Sequence, residues 1–112
     1  MISDKEAGID IEKNREKIVN IHHRFVNTEV DSLSEEDLVK QLTVIWGAKE
    51  SMNKTYPNGG LSFHDHIGIN PFLFEYGRST GRVIFGYWKK EYEIKFEFFE
   101  EGFTLVYALE KQ

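Results

Sequence analysis

The sequence predicts an α+β fold in which two N-terminal amphipathic helices pack on one face of a four- to five-stranded antiparallel β-meander. Three observations support this prediction. Apolar residues recur at helical spacing up to Lys54, the period changes to alternation after Gly60, and only short turn sequences separate the alternating runs. The chain has the length of one domain, and we expect residues 1–112 to form a single one with a flexible N-terminus at residues 1–9.

The first predicted helix extends from Ile9 to Val26. Its apolar side consists of five residues at helical spacing, namely Ile11, Ile18, Ile21, Phe25 and Val26. Asp10 is placed to cap the start of the helix, and Glu12 and Lys13 fall on the opposite, solvated side. The segment "NTEVDSL" then interrupts the pattern.

The second predicted helix extends from Glu35 to Lys54. Ser34 precedes three acidic residues, and this order is typical of an N-cap followed by a first turn in which the helix dipole favours negative charge. Apolar residues continue at helical spacing as far as Met52, and the turn sequence "TYPNGG" ends the segment. We expect this helix to pack antiparallel against the first.

Four runs rich in aromatic and β-branched residues predict the strands: "PFLFEYG", "RVIFGYW", "EYEIKFEFF" and "FTLVYALE". The segment "LSFH" is a candidate for a short fifth strand. The separators "RSTG", "KK" and "EG" are too short for parallel crossovers, so the strands should form an antiparallel meander. In the third run Tyr92, Ile94, Phe96 and Phe98 should face the helices, while the glutamates between them face solvent.

Composition excludes several classes of function. The absence of cysteine removes disulfides, thiolate nucleophiles and zinc sites built from thiolates. A net charge of −5 without a basic cluster argues against nucleic-acid binding. No apolar stretch has the length of a signal peptide or a membrane span, so we expect a cytoplasmic protein that does not bind a membrane.

The segment "SFHDHIG" contains the only motif that suggests a metal or acid–base site. In a strand, His64 and His66 would project to the same side at a spacing that can chelate zinc, copper or nickel, and Asp65 could orient an imidazole. The alternative, which we favour, is a set of local hydrogen bonds before the turn expected at Asn70-Pro71. Since no phosphate-binding, zinc or hydrolase motif is present, we expect no cofactor and no catalytic residue.

A second candidate site is a strip of carboxylates and aromatic rings on one predicted hairpin. Carboxylates would steer the encounter with a basic protein partner, and the rings would provide buried anchors. The predicted partner-binding residues are Trp88, Glu91, Tyr92, Glu93, Glu97, Phe99, Glu100 and Glu101.

In size, acidity, lack of cysteine and α+β architecture, the chain resembles bacterial immunity proteins. The resemblance implies a non-catalytic inhibitor that occludes the basic active site of a toxin domain, for example a nuclease. The sequence therefore favours a binding protein over an enzyme.

Two alternatives stay open. Helices over a curved sheet can enclose an aromatic pocket, and the architecture also looks like cone-shaped α+β folds of the nuclear-transport-factor-like kind. That reading implies a small enzyme or ligand-binding domain with His64, Asp65 and His66 as the polar groups at the mouth of the pocket. Third, the chain could form a homodimer that buries the second sheet face, which is too apolar in "FTLVYAL" for full solvation.

Overall fold

Five strands form one antiparallel sheet in the computed structural model, which describes residues 7–26, 34–57 and 60–111. The strands are β1 (Ala7–Lys13), β2 (Ile67–Ile69), β3 (Arg78–Phe85), β4 (Trp88–Phe99) and β5 (Phe103–Glu110). Their order across the sheet is β1-β5-β4-β3-β2. The first described strand therefore pairs with the last, and β1 lies at one edge of the sheet.

The predicted first helix is wrong over its N-terminal half, because Ala7–Lys13 is strand β1. The strand pairs with β5 along its whole length, from Ala7 opposite Leu109 to Lys13 opposite Phe103. The apolar residues of this segment, Ala7, Ile9 and Ile11, alternate with Gly8, Asp10 and Glu12 rather than forming a helical stripe. The predicted flexible terminus overlaps this strand at residues 7–9, and residues 1–6 lie outside the described part of the chain.

What remains of the first helix is α1, Ile18–Ile21, which has no capping side chain and continues into a 3₁₀ turn at His22–Arg24.

The second predicted helix is confirmed as α2, which spans Glu35–Asn53. The Ser34 hydroxyl accepts a hydrogen bond from the Asp37 amide at 3.3 Å and caps the start of the helix. The predicted pair of packed N-terminal helices is therefore wrong, since the molecule is mostly sheet with one long helix. The segment at residues 27–33 and Asn58-Gly59 of the predicted turn lie outside the described residues.

The meander is confirmed for β3, β4 and β5, which pair as consecutive antiparallel strands. The predicted separators "RSTG" and "KK" are wrong, because they lie within β3 and β4, and the turn between these strands is at Gly86-Tyr87. The strand predicted at "PFLFEYG" is wrong: Phe74–Tyr76 is a 3₁₀ turn that ends at Gly77, where φ is 62°. The aromatic rings of this segment pack against the sheet, and the segment does not pair as a strand. The Phe74 ring centroid is 5.4 Å from that of Phe98 on β4. The short fifth strand forms at Ile67–Ile69 and not at "LSFH".

The core lies between α2 and one face of the sheet. Tyr92 and Ile94 have no exposed surface and Phe96 is buried, which confirms the predicted inward face of β4. Strand β1 lies directly against the helix at Gly8, where an added Cβ would be only 1.8 Å from the Ser51 carbonyl oxygen. This close approach brings the side chains on the helix-facing side of β1 against α2.

The opposite face of the sheet has no covering element among the described residues. It is polar on β4 and apolar on β1, where Ile9 and Ile11 are 60% and 61% exposed. Within the described ranges, none of the helices combines the length and apolarity that crossing a bilayer requires.

Candidate active site

Strand β1 and helix α2 together form a cluster of charged side chains, which we call the carboxylate site: Asp10 and Glu12 from the strand, Glu50 and Lys54 from the helix. Asp10 and Glu12 are two residues apart and therefore project to the same side of β1. Gly47 keeps the facing turn of the helix open, because a Cβ there would lie 3.6 Å from Asp10 Oδ2 and 2.7 Å from the Val106 side chain.

Asp10 is almost fully buried but only half satisfied. Its Oδ1 atom accepts a hydrogen bond from Lys54 Nζ at 3.2 Å, and the same Nζ donates to the Ile9 carbonyl oxygen at 2.6 Å. Its Oδ2 atom is buried, and no hydrogen-bond donor from the described residues reaches it. Buried carboxylate oxygens are normally paired, because leaving one unpaired is costly. The Oδ2 atom of Asp10 is therefore a position at which a further partner can bind.

Glu12 has a strongly perturbed pKa. The pKa rises from 4.5 to about 7, chiefly through burial, with smaller contributions from a hydrogen bond with Asp10 and from the charges of Asp10 and Glu50. The Trp46 indole N–H donates to the Glu12 carboxyl and opposes the shift. The pKa of Glu50 is also raised, first by burial and then by the charge of Asp10, against the opposing charge of Lys54.

Burial and the charge of Asp10 therefore oppose the ionisation of Glu12 and Glu50, and a single lysine, Lys54, accompanies the three carboxyl groups of this site. An all-oxygen donor set suits a hard divalent cation such as Mg²⁺, and the unpaired Oδ2 of Asp10 offers it a ligand. As the described side chains stand, no three His, Asp or Glu residues converge on a metal position. In their donor chemistry these residues fit a divalent cation, because Oδ2 of Asp10 is buried without a hydrogen-bond partner from the described residues and all the carboxyl oxygens are hard ligands.

A cavity of about 250 Å³ adjoins the site on the side of α1. Glu12 and Trp46 line it together with apolar side chains and with three basic residues from the end of β1 and the segment that follows it. Its lining consists of Glu12, Lys13, Arg15, Lys17, Ile18, Ile21, Phe25, Thr43 and Trp46. A ligand with anionic and apolar parts could therefore reach Glu12 from this side.

The predicted acidic strip is not part of this site. Glu91, Glu93 and Glu97 are exposed on the outer face of β4, whereas the carboxylate site lies on the face that α2 covers. Glu100, Glu101 and Phe99 are exposed around the β4–β5 turn.

Two aromatic members of the predicted strip lie inside the molecule. Tyr92 is fully buried and its hydroxyl hydrogen-bonds the Thr55 hydroxyl at 2.5 Å, so it has no surface to offer a partner. Trp88 is half-buried and packs against Tyr56, with ring centroids 5.1 Å apart. A binding role for the exposed glutamates stays a prediction.

The histidine motif forms local hydrogen bonds, as we favoured. His64 Nδ1 and Asp65 Oδ1 are 2.7 Å apart, and His66 Nδ1 accepts a hydrogen bond from the Ser62 amide at 2.8 Å. The Asp65 amide in turn donates to the Ser62 hydroxyl. These bonds stabilise the turn that precedes β2.

Sequence reasoning missed all four members of the carboxylate site. It assigned Asp10 to a helix cap and Glu12 to a solvated helix face. The signal that could have found them is the alternation of Gly8, Asp10 and Glu12 with two isoleucines, which is a strand pattern with its polar residues on one side.

A model of the ACPS family, the 4'-phosphopantetheinyl transferase superfamily, matches residues 6–108. Neither curated proteins nor solved structures gave a match. The matched range includes the whole carboxylate site. The family match shows that the resemblance to immunity proteins is wrong, because this family is named for a group-transfer enzyme. The predicted function as a non-catalytic inhibitor and the predicted basic toxin partner are therefore wrong as well. The small-enzyme alternative agrees better. The chain belongs to the 4'-phosphopantetheinyl transferase superfamily.

Proposed function

We propose that this protein is an enzyme that transfers 4'-phosphopantetheine from coenzyme A to a hydroxyl group of a carrier protein. The family name supplies the transferred group. The observation that carries the proposal is the carboxylate site, in which three carboxyl groups and a lysine lie beside a cavity and the pKa values of Glu12 and Glu50 are raised by burial and by the charge of Asp10. Phosphoryl transfer depends on such positioning and charge compensation more than on covalent chemistry by the protein.

The reaction balances without an oxidant or a further co-reactant. The carrier hydroxyl oxygen attacks the phosphorus that bears the pantetheine arm, and a new P–O bond forms. The bond from that phosphorus to the bridging oxygen of the diphosphate breaks, and adenosine 3',5'-bisphosphate leaves with the electron pair. The proton of the hydroxyl must pass to a base on the enzyme.

The carboxylate site contains residues for the three tasks of the reaction, which are cation binding, acceptance of the hydroxyl proton and contact with the phosphate. Asp10 and Glu12, in direct contact on one strand, would hold a divalent cation. Such a cation, when bound, neutralises the charge of the diphosphate. Glu50 approaches from the helix with a raised pKa and accepts the hydroxyl proton. Lys54 places a positive charge next to Asp10 and can turn toward a phosphate oxygen.

The rim of the cavity suits an anionic substrate. Lys13, Arg15 and Lys17 line it within one short stretch of chain, although the protein as a whole is acidic. These residues would raise the local concentration of a phosphorylated ligand. We also propose a cytoplasmic location, with which the cysteine-free sequence is consistent.

The test is the intact mass of a carrier protein incubated with coenzyme A, Mg²⁺ and the enzyme. We expect the carrier to gain the mass of one phosphopantetheine group, and we expect Glu50→Gln to slow this by about 100-fold or more because the base is lost. The matched control is Glu97→Gln, which makes the same chemical change on the outer face of β4. Equal rates for the two variants would overturn the role of Glu50, and an unmodified carrier would overturn the proposed function.

A further inference from the structure

Lys49, next to Glu50 on α2, is a buried charged residue that the proposed reaction does not use. Only 1% of its surface is exposed. Its Nζ atom donates hydrogen bonds to the Phe25 carbonyl oxygen and, at 2.7 Å, to the Phe63 carbonyl oxygen. Among the described residues no carboxylate pairs with it, and burial, with a smaller contribution from Arg82, lowers its pKa to about 8. A buried ammonium group without a counter-ion is costly, so an apolar residue would be expected here unless the group has a task.

The two carbonyl groups belong to different segments that meet over the same helix. Phe25 follows α1 and is part of the cavity wall, and Phe63 belongs to the turn before β2. The Trp46 ring lies between them, with its centroid 5.2 Å from each phenylalanine ring. Lys49 therefore holds both sides of the aromatic group in which Trp46 is packed.

Trp46 connects this arrangement to the chemistry. It lies in the cavity beside Glu12, and its indole N–H donates to the Glu12 carboxyl. Any movement of the ring would displace that hydrogen bond and alter the cavity lining beside Glu12. The cavity wall contains Ile18 and Ile21 of the four-residue α1, which is too short to be stable without tertiary contacts.

We propose that Lys49 is a positioning residue of the carboxylate site. By holding the Phe25 and Phe63 segments against α2, it fixes Trp46 and the cavity wall, and thereby the place at which substrate meets Glu12. The kinetic consequence rests on the proposed transferase function, whereas the effect on Trp46 does not.

The first experiment measures the accessibility of Trp46 in a Trp88→Phe background, in which Trp46 is the single tryptophan. We expect Lys49→Met to raise the acrylamide quenching constant of the folded protein at least about twofold, because packing around the ring is lost. Lys40→Met, which removes another lysine from the same helix, is the control and should leave quenching unchanged. Equal quenching in the Lys49→Met variant and its parent would overturn the proposal.

The second experiment compares kinetic constants. We expect Lys49→Met to raise KM for at least one substrate by about tenfold while kcat changes less than about threefold, because binding geometry is disturbed and the reacting groups remain. A merely structural role would lower the fraction of active enzyme and leave KM unchanged, and that result would overturn the proposal. If the wild-type protein has no transferase activity, the proposed function fails, and the quenching result alone decides the role of Lys49.

A chemical variant keeps the proposal testable if Lys49→Met does not fold. The chain contains no cysteine, so Lys49→Cys can be alkylated selectively in the unfolded state and refolded. Alkylation with 2-bromoethylamine restores an amine of nearly the original length, and ethylation restores only part of the bulk. We expect the amine to recover the wild-type quenching and KM, and the ethyl group not to recover them. Identical behaviour of the two products would overturn the proposal.

Discussion

At the scale of single residues, the carboxylate site makes folding stability depend on pH. The pKa of Glu12 is about 7 in the folded chain, against an ordinary value of 4.5. Between these values the folded chain binds a proton that the unfolded chain does not bind. The corresponding stabilisation is fully present below the unfolded pKa and is lost as the pH rises through the folded one. Glu50, whose pKa is also raised, acts in the same direction.

We therefore expect the protein to be more stable near pH 5.5 than near pH 7.5, by roughly 1 kcal/mol once screening by solvent is allowed for. The pKa of Lys49, lowered to about 8 chiefly by burial, lies just above this range, so its partial deprotonation near pH 7.5 offsets only a small part of this effect. Mg²⁺ should raise Tm more at the higher pH, because the cation and the proton compete for the same carboxyl groups. Thermal unfolding at the two pH values measures this, and a Tm independent of pH with no response to Mg²⁺ would contradict the electrostatic account.

Asp10→Asn tests the centre of the site with almost no change in shape. Removing the Asp10 charge removes one cause of the Glu12 shift, so the pKa of Glu12 should fall and the pH dependence of Tm should become flatter. The same change should weaken Mg²⁺ binding at least about tenfold, since an amide is a poorer ligand than a carboxylate. Calorimetric titration measures the affinity. Asp65→Asn, at an exposed carboxylate outside the site, is the control and should bind Mg²⁺ like the wild type.

At the scale of elements, local signals in the sequence predicted α2 and β3 to β5. Ser34 and the acidic first turn mark the start of α2, and the alternation around Ile94 marks the inward face of β4. The helix predicted over residues 9–13 is wrong because Ile11 also falls at helical spacing from Ile18 and Ile21. Alternation within the segment favours a strand, and pairing with β5, which is distant in sequence, stabilises it.

The packing of β1 on α2 depends on Gly8. An added Cβ would lie 1.8 Å from a backbone oxygen of α2, which cannot move without shifting the helix. We expect Gly8→Ala to destabilise the protein by about 2 kcal/mol or more and to lower Mg²⁺ affinity, because β1 carries Asp10 and Glu12. Chemical denaturation and calorimetric titration measure the two effects.

The control for this prediction is Gly68→Ala on β2. There the nearest atoms are the far end of the Arg82 side chain, beginning at 3.2 Å, and this flexible group can move aside. The control should change stability by less than about 1 kcal/mol. Similar losses in the two variants would show that close packing at Gly8 is not what positions the strand.

At the scale of the whole molecule, pairing of the first described strand with the last creates the site. Strand β1 closes against β5, and the Thr104 hydroxyl donates to the Asn14 side chain at 2.6 Å just beyond the end of β1. The sequence predicted an antiparallel sheet with α2 across it, but not this long-range closure. The composition also shows that the protein is acidic, but the net charge does not reveal that three carboxylates cluster between β1 and α2. This cluster follows from which side of the strand faces the helix.

Transfer of phosphopantetheine by the carboxylate site is tested most directly by following both products of one reaction. The protein is incubated with coenzyme A, Mg²⁺ and a carrier protein, and adenosine 3',5'-bisphosphate and modified carrier are quantified over time. We expect one molecule of the bisphosphate for each modified hydroxyl, with neither product formed by Asp10→Asn or after removal of Mg²⁺. Bisphosphate without modified carrier, or neither product from the wild-type protein, would contradict the proposed transfer.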